Sequence, residues 1–167
     1  MAEQRALEIL KNAILLETRG QAFYQNVAGQ TEHPGVREFF EMMAQEEGNH
    51  IRVLSDQYKA VAETGHFQNG DYAPESAPDV ASEVLNAELR EKISGAGYEA
   101  AAISAAISME ERAIQLYGDR AKETGDSEEK RLYEWLAGWE RGHLNALLDM
   151  DRELTEKLWA DRGFWPF

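Results

Sequence analysis

A stretch of 42 residues occurs twice in this chain. Residues 13–54 align without a gap on residues 106–147, at a constant offset of 93, with 12 identities. Each copy carries helical periodicity. Leu7, Leu10, Ile14, Glu17, Gln21, Tyr24 and Ala28 recur at three- and four-residue steps and share one face. Phe39, Met43, Glu47, His50 and Leu54 do the same in the next segment. Ile103, Ile107, Glu110, Ile114, Tyr117 and Ala121 form a third stripe, and Leu132, Leu136, Glu140, His143 and Leu147 a fourth. The run from Thr31 to Gly35, with Pro34 inside it, breaks the first pair. The run from Thr124 to Ser127 breaks the second, with Gly125 expected as the helix stop and Asp126 or Ser127 as the cap. A duplicated helical hairpin predicts an all-α four-helix bundle.

The 167 residues fit one domain. Its hairpins span about residues 3–62 and 98–150, joined by a linker over about 63–97 and followed by a tail over 151–167. Within the linker, Gly65, Gly70, Pro74 and Pro78 mark a loop. Asp79 to Ile93 reads as a shorter helix, ended by the Ser94–Gly97 run. A tail helix is expected over 151–160. It closes in an aromatic terminus, Gly163 to Phe167, too apolar to stand in water and suited to covering a bundle mouth or a subunit interface. The linker is long enough to run the length of the bundle, about 40 Å for some 27 helical residues. That permits a crossover with the third helix antiparallel to the first, and equally an exchange of hairpins between two chains. A homodimer is the expected assembly.

Lysine and arginine number 17 against 31 acidic residues, a net charge of −14. Such a surface repels nucleic acid and anionic lipid, so neither is an expected partner. The absence of cysteine removes disulfides, thiolate nucleophiles, iron–sulfur clusters and thiolate zinc sites. The first residues lead into a charged amphipathic helix, and no stretch reaches the roughly 20 apolar residues of a membrane span. The expected location is the cytoplasm.

The repeat places polar residues on these apolar faces in register. Glu17 pairs with Glu110, Tyr24 with Tyr117, Glu47 with Glu140 and His50 with His143. Glu17 and Glu47 are equidistant from the first turn, Glu110 and Glu140 from the second, so each antiparallel hairpin sets one Glu level with one Glu-x-x-His. The three-residue step keeps that Glu and His on one face. Two hairpins packed face to face then converge four carboxylates and two imidazoles at mid-bundle. Carboxylates crowded in an apolar core cost several kcal/mol per ion without a counter-charge. Two divalent cations balance four Glu. An oxygen-rich set with one imidazole per ion suits iron or manganese, with zinc as a substitute.

Glu-x-x-His alone is a weak signal. Glu63 and His66 also match it, but they fall in the loop beside Gly65, have no repeat partner and read as a decoy. His33 sits in a turn and reads as a surface residue. Tyr24 and Tyr117 lie two turns from Glu17 and Glu110. They are either core residues with satisfied hydroxyls or functional groups, hydrogen-bonded to a ligand or relaying an electron. Trp135 and Trp139 read as core packing rather than electron carriers. Glu46 and Glu111 point about 100° away from the neighbouring ligand positions and read as surface or outer groups.

The set Glu17, Glu47-x-x-His50, Glu110, Glu140-x-x-His143 resembles the ferritin-like superfamily. The texture from Leu16 to Tyr24 and from Ala44 to His50 is similar to its rubrerythrin branch, over both hairpins, about residues 5–62 and 98–150. The resemblance implies a di-iron centre held by these six residues in a protein that reduces peroxide or dioxygen, oxidises ferrous iron or stores it. It implies a role in oxidative stress. Rubrerythrins with a rubredoxin domain receive electrons through its cysteines. This chain has no cysteine, so the electron donor is expected to be a separate protein such as a rubredoxin or a flavoprotein. Rubrerythrins also carry a further Glu one turn after the lone Glu of the third helix, where this chain has Ala113. The symmetric six-residue set is closer to the bacterioferritin type. Di-iron oxidoreductase is the leading reading, iron binding with ferroxidase and storage the alternative. A hydroxylase with an apolar substrate pocket and a metal-stapled scaffold stand behind them.

Overall fold

The computed structural model describes residues 2–70, 72 and 97–162. They form four helices: α1 (Ala2–Gln30), α2 (Pro34–Thr64), α3 (Tyr98–Glu123) and α4 (Ser127–Arg162). No strand occurs among the described residues. The short helix expected over 79–93 and the aromatic terminus over 163–167 lie outside them.

The helix ends follow local chemistry. Pro34 opens α2, where its fixed φ is favourable and its missing N–H is not needed. Gly65 ends α2 at φ 77, with its N–H donating to the Val61 carbonyl at 2.9 Å. The second hairpin departs from expectation. Gly125 is not the left-handed stop; Thr124 ends α3 in extended backbone at φ −74, ψ 140. A polar knot replaces the glycine device. The Asp126 carboxylate caps α4 by accepting from the N–H groups of Glu128 and Glu129, each at 2.9 Å. Glu129 is buried, and its two oxygens accept from Arg120 Nε at 2.8 Å and Nη2 at 2.9 Å. Thr124 donates to the same carboxylate. This fork ties the end of α3 to the start of α4. Residues 151–160 are helical as expected, and they continue α4 without a break to Arg162, because nothing near residue 150 interrupts its 3.6-residue period.

Two apolar layers fill the interior. One joins Tyr24 and Val27 of α1, Val36, Phe39, Phe40 and Met43 of α2, Ile103 of α3, and Leu147 and Met150 of α4. The other joins Leu10 and Ala13, Leu54 and Val61, Tyr117, and Leu132, Tyr133 and Leu136. Each fully buried Phe or Leu contributes about 1.5–3 kcal/mol. The end of α1 and the start of α3 share a layer, and α2 and α4 are arranged likewise. Contacts across the hairpins agree, since Tyr24 meets Glu110 and Tyr117 meets Glu17. Helices α1 and α3 are therefore antiparallel, as the long linker permits. Glu17 of α1, Glu47 and His50 of α2, Glu110 of α3, and Glu140 and His143 of α4 fall between the two apolar layers.

Candidate metal centre

All six residues singled out by the repeat meet at mid-bundle, and all six are buried. Glu17 comes from α1, Glu47 and His50 from α2, Glu110 from α3, and Glu140 and His143 from α4. His50 Nδ1 lies 3.1 Å from Glu17 Oε2, 3.1 Å from Glu140 Oε1 and 3.6 Å from Glu47 Oε2. His143 Nδ1 lies 3.1 Å from Glu140 Oε2 and 3.6 Å from Glu110 Oε1. The two imidazole centres are 6.0 Å apart. Two overlapping groups can each gather donor atoms within 4.8 Å of one another: Glu17, Glu47, His50 and Glu140, and Glu47, Glu110, Glu140 and His143. Glu47 and Glu140 belong to both. Each hairpin thus contributes one shared carboxylate, one outer carboxylate and one imidazole, related by the 93-residue repeat. The decoy pair Glu63 and His66 is exposed in the α2 terminus and the loop beyond it.

The two tyrosines cross between the hairpins. Tyr24 donates its hydroxyl to Glu110 Oε1, and Tyr117 donates to Glu17 Oε1. Both rings are fully buried. They pack the apolar layers and also hold the outer carboxylates, so the two readings of the sequence coincide in one contact. Burial, and then the facing carboxylates, push both phenols well above their ordinary value. They remain protonated donors.

Electrostatics inside the cluster is uneven. Burial, reinforced by the Glu140 charge, pushes Glu110 up to about 8 and Glu47 well above the carboxylate range. Burial acts on Glu140 in the same direction, but the two imidazoles beside it hold it below its usual value. Burial would lower both histidines. The surrounding carboxylates, Glu140 foremost for His50 and Glu110 for His143, overcome it and raise them. Protons thus offset part of the buried charge, in the role a cation would fill. The donor atoms fit a cation on one further observation. Glu47 Oε2 and Glu140 Oε1 are buried at the centre of the cluster and accept no well-directed hydrogen bond. A lone pair left in that position is costly unless an ion or a proton meets it.

Neighbouring positions leave room for this set. Gly20 and Ala113 occupy the same repeat position, one turn after the outer Glu of each hairpin. A Cβ at Gly20 would lie 3.4 Å from the Glu47 carboxyl carbon. Between Gly20, Glu47, Glu110 and Ala113 there is a space of about 10 Å³, the size of one water molecule. One participant was not legible from periodicity. Glu46, read as a surface or outer group, turns inward to accept from His143 Nε2, while Glu111 is exposed as expected. The available signal was the repeat itself, which places Glu46 opposite Trp139.

The rubrerythrin family model matches residues 8–150, which takes in both hairpins and all six clustered residues. The chain belongs to the rubrerythrin family. Comparison with the curated proteins and with the solved structures finds no match. Membership in the rubrerythrin family accords with the four-helix architecture and with a buried Glu and His cluster able to hold metal. No helix among the described residues is long and apolar enough to cross a membrane.

Proposed function

We propose that this chain is a di-iron carboxylate oxidoreductase that reduces hydrogen peroxide or dioxygen with electrons from a separate donor protein. The observation carrying the proposal is the pair of overlapping donor groups sharing Glu47 and Glu140. In this reading Glu47 and Glu140 serve both ions, Glu17 and His50 complete one set, and Glu110 and His143 complete the other. Oxygen-rich donors with one imidazole apiece favour iron, with manganese or zinc as substitutes. Iron held there by these six residues would supply the redox chemistry for reducing an O–O bond.

The chain's own residues supply position and protons. The Tyr24 and Tyr117 hydroxyls hold Glu110 and Glu17 in fixed orientation and keep a proton one hydrogen bond from the cluster. The flanking apolar layers exclude bulk water, which strengthens every charge interaction between them. The space beside Glu47 and Glu110 is water-sized and holds no organic substrate, which weighs against a hydroxylase. Ala113, buried beside that space, favours the second reading, ferrous oxidation with iron storage, because the additional carboxylate of rubrerythrins is missing there.

The test is stopped-flow mixing of the anaerobic, ferrous-loaded protein with hydrogen peroxide or dioxygen. The proposal expects oxidation within one turnover, faster with peroxide, and then arrest until a rubredoxin or flavoprotein reductase is added. A growing ferric core of many irons per chain would support storage instead. Inertness to both oxidants would refute the oxidoreductase.

A further inference from the structure

Positions 46 and 139 are the same place in the two repeats, and they touch. Trp139 Nε1 donates to Glu46 Oε2 at 3.4 Å. Residues related by an approximate two-fold meet only near its axis, so this is where the two halves can differ with most effect on both. They do differ, as carboxylate against indole.

The consequence falls on the histidines. His143 Nε2 donates to Glu46, whose side chain is 13% exposed. With one proton held on Nε2, an ion that displaces the proton on Nδ1 would meet an Nδ1 lone pair aimed between Glu110 and Glu140. A carboxylate behind an imidazole also raises its basicity and locks its ring. Among the described residues His50 has no such partner. Its Nε2 is buried without a hydrogen bond, and the ring meets Trp135 and Trp139 edge to face, with centres 5.6 and 5.9 Å apart. Both imidazoles turn Nδ1 toward the shared carboxylates, but only one is held there from behind.

We propose that Glu46 is a positioning residue for His143, and that its replacement by Trp139 in the other repeat makes the two ion positions unequal. The group Glu47, Glu110, Glu140 and His143 takes the first divalent ion, and the group containing His50 takes the second more weakly. This rests on the metal-binding reading above.

Titration of the metal-free protein with Mn²⁺, counting free ion by electron paramagnetic resonance, should resolve two steps in the wild type. Anomalous scattering from crystals given one equivalent should place the ion beside His143. Glu46→Ala should weaken the tighter step by about 10–100-fold and leave the weaker one in place, merging the two. Glu46→Gln keeps an acceptor for Nε2 and should retain the two-step curve. If Glu46→Ala fails to fold, wild type and Glu46→Gln still carry the test. Two equal steps, or a first ion beside His50, would overturn this inference alone. A Gln variant as weak as the Ala variant would overturn the positioning role. No binding in the wild type would overturn the metal reading beneath it.

Discussion

Glu140 distinguishes a carboxylate shared by both donor groups from one that belongs to a single group. Its two oxygens lie 3.1 Å from Nδ1 of His50 and of His143, and it belongs to both donor groups. Glu17 belongs to one. Replacing Glu140 by Ala should therefore abolish loading of both ions, and replacing Glu17 only one. The size of the effect follows from linkage. An ion present at a hundredfold excess over its dissociation constant stabilises the folded state by about 2.7 kcal/mol. For a chain of this length each kcal/mol moves the melting temperature by about 2–4 °C, so one ion is worth about 5–10 °C and two about twice that. The quantity to measure is the shift on adding Mn²⁺, by circular dichroism, with elemental analysis of the same samples. Taking the shift removes any change the substitution makes to the metal-free fold. Wild type should show the full shift, Glu17→Ala half or more of it, because the tighter position remains, Glu140→Ala none, and the exposed decoy variant Glu63→Ala the full value. Equal losses in Glu17→Ala and Glu140→Ala would refute the shared role. Loss of the shift in Glu63→Ala would refute the assignment of the site.

Metal-free protein should lose stability as pH rises from about 5 to 8. Glu110, raised by burial to about 8, and Glu47, raised in the same way, bind protons more tightly folded than unfolded. The stability they contribute is therefore complete below the unfolded carboxylate range and drains as pH climbs through the folded values. The raised histidines act in the same sense, above their unfolded value near 6.5. Glu140, lowered, acts oppositely, but only below its unfolded value of 4.5. Glu110→Gln should flatten part of the slope, and a melting temperature that climbs from pH 5 to 8 would contradict the account. Tyr24→Phe and Tyr117→Phe should each cost about 1.5–3 kcal/mol in denaturant unfolding, since each leaves one oxygen of a buried carboxylate without its donor; a cost below 0.5 kcal/mol, roughly the surface-substitution range, would argue against these bonds. Gly20→Leu should displace the Glu47 carboxyl and reduce metal stoichiometry while leaving helix content unchanged, and full loading would show that the close approach is unimportant.

The parts of this molecule readable from sequence are those that recur. Glu17, Glu47, His50, Glu110, Glu140 and His143 stand out because one offset links them, and helical periodicity puts them on faces already apolar. Their burial and convergence follow from packing those faces. What escaped the sequence lies where the repeats diverge or where several end devices compete. Glu46 was hidden because its contact partner, His143, lies on the other hairpin, and helical projection alone turns Glu46 away from the ligand face. Gly125 offered an obvious helix stop, yet the fork from Arg120 to Glu129 with the Asp126 cap fixed the turn without a left-handed residue. The tail helix over 151–160 was legible, but its continuity with α4 was not, because the period of α4 simply carries past residue 150. The tyrosine roles were left open by sequence because a satisfied hydroxyl and a contact to a ligand candidate have the same signature, and here they are the same bond.

Two metal ions are expected to occupy this cluster. Anomalous scattering recorded on either side of the iron edge, from crystals of protein purified without added metal, tests it most directly when paired with elemental analysis. Two peaks about 3.5–4 Å apart are expected, one beside each histidine, with Glu47 and Glu140 reaching both. A single peak, or peaks only at exposed acidic residues with the six side chains still joined by hydrogen bonds, would contradict it.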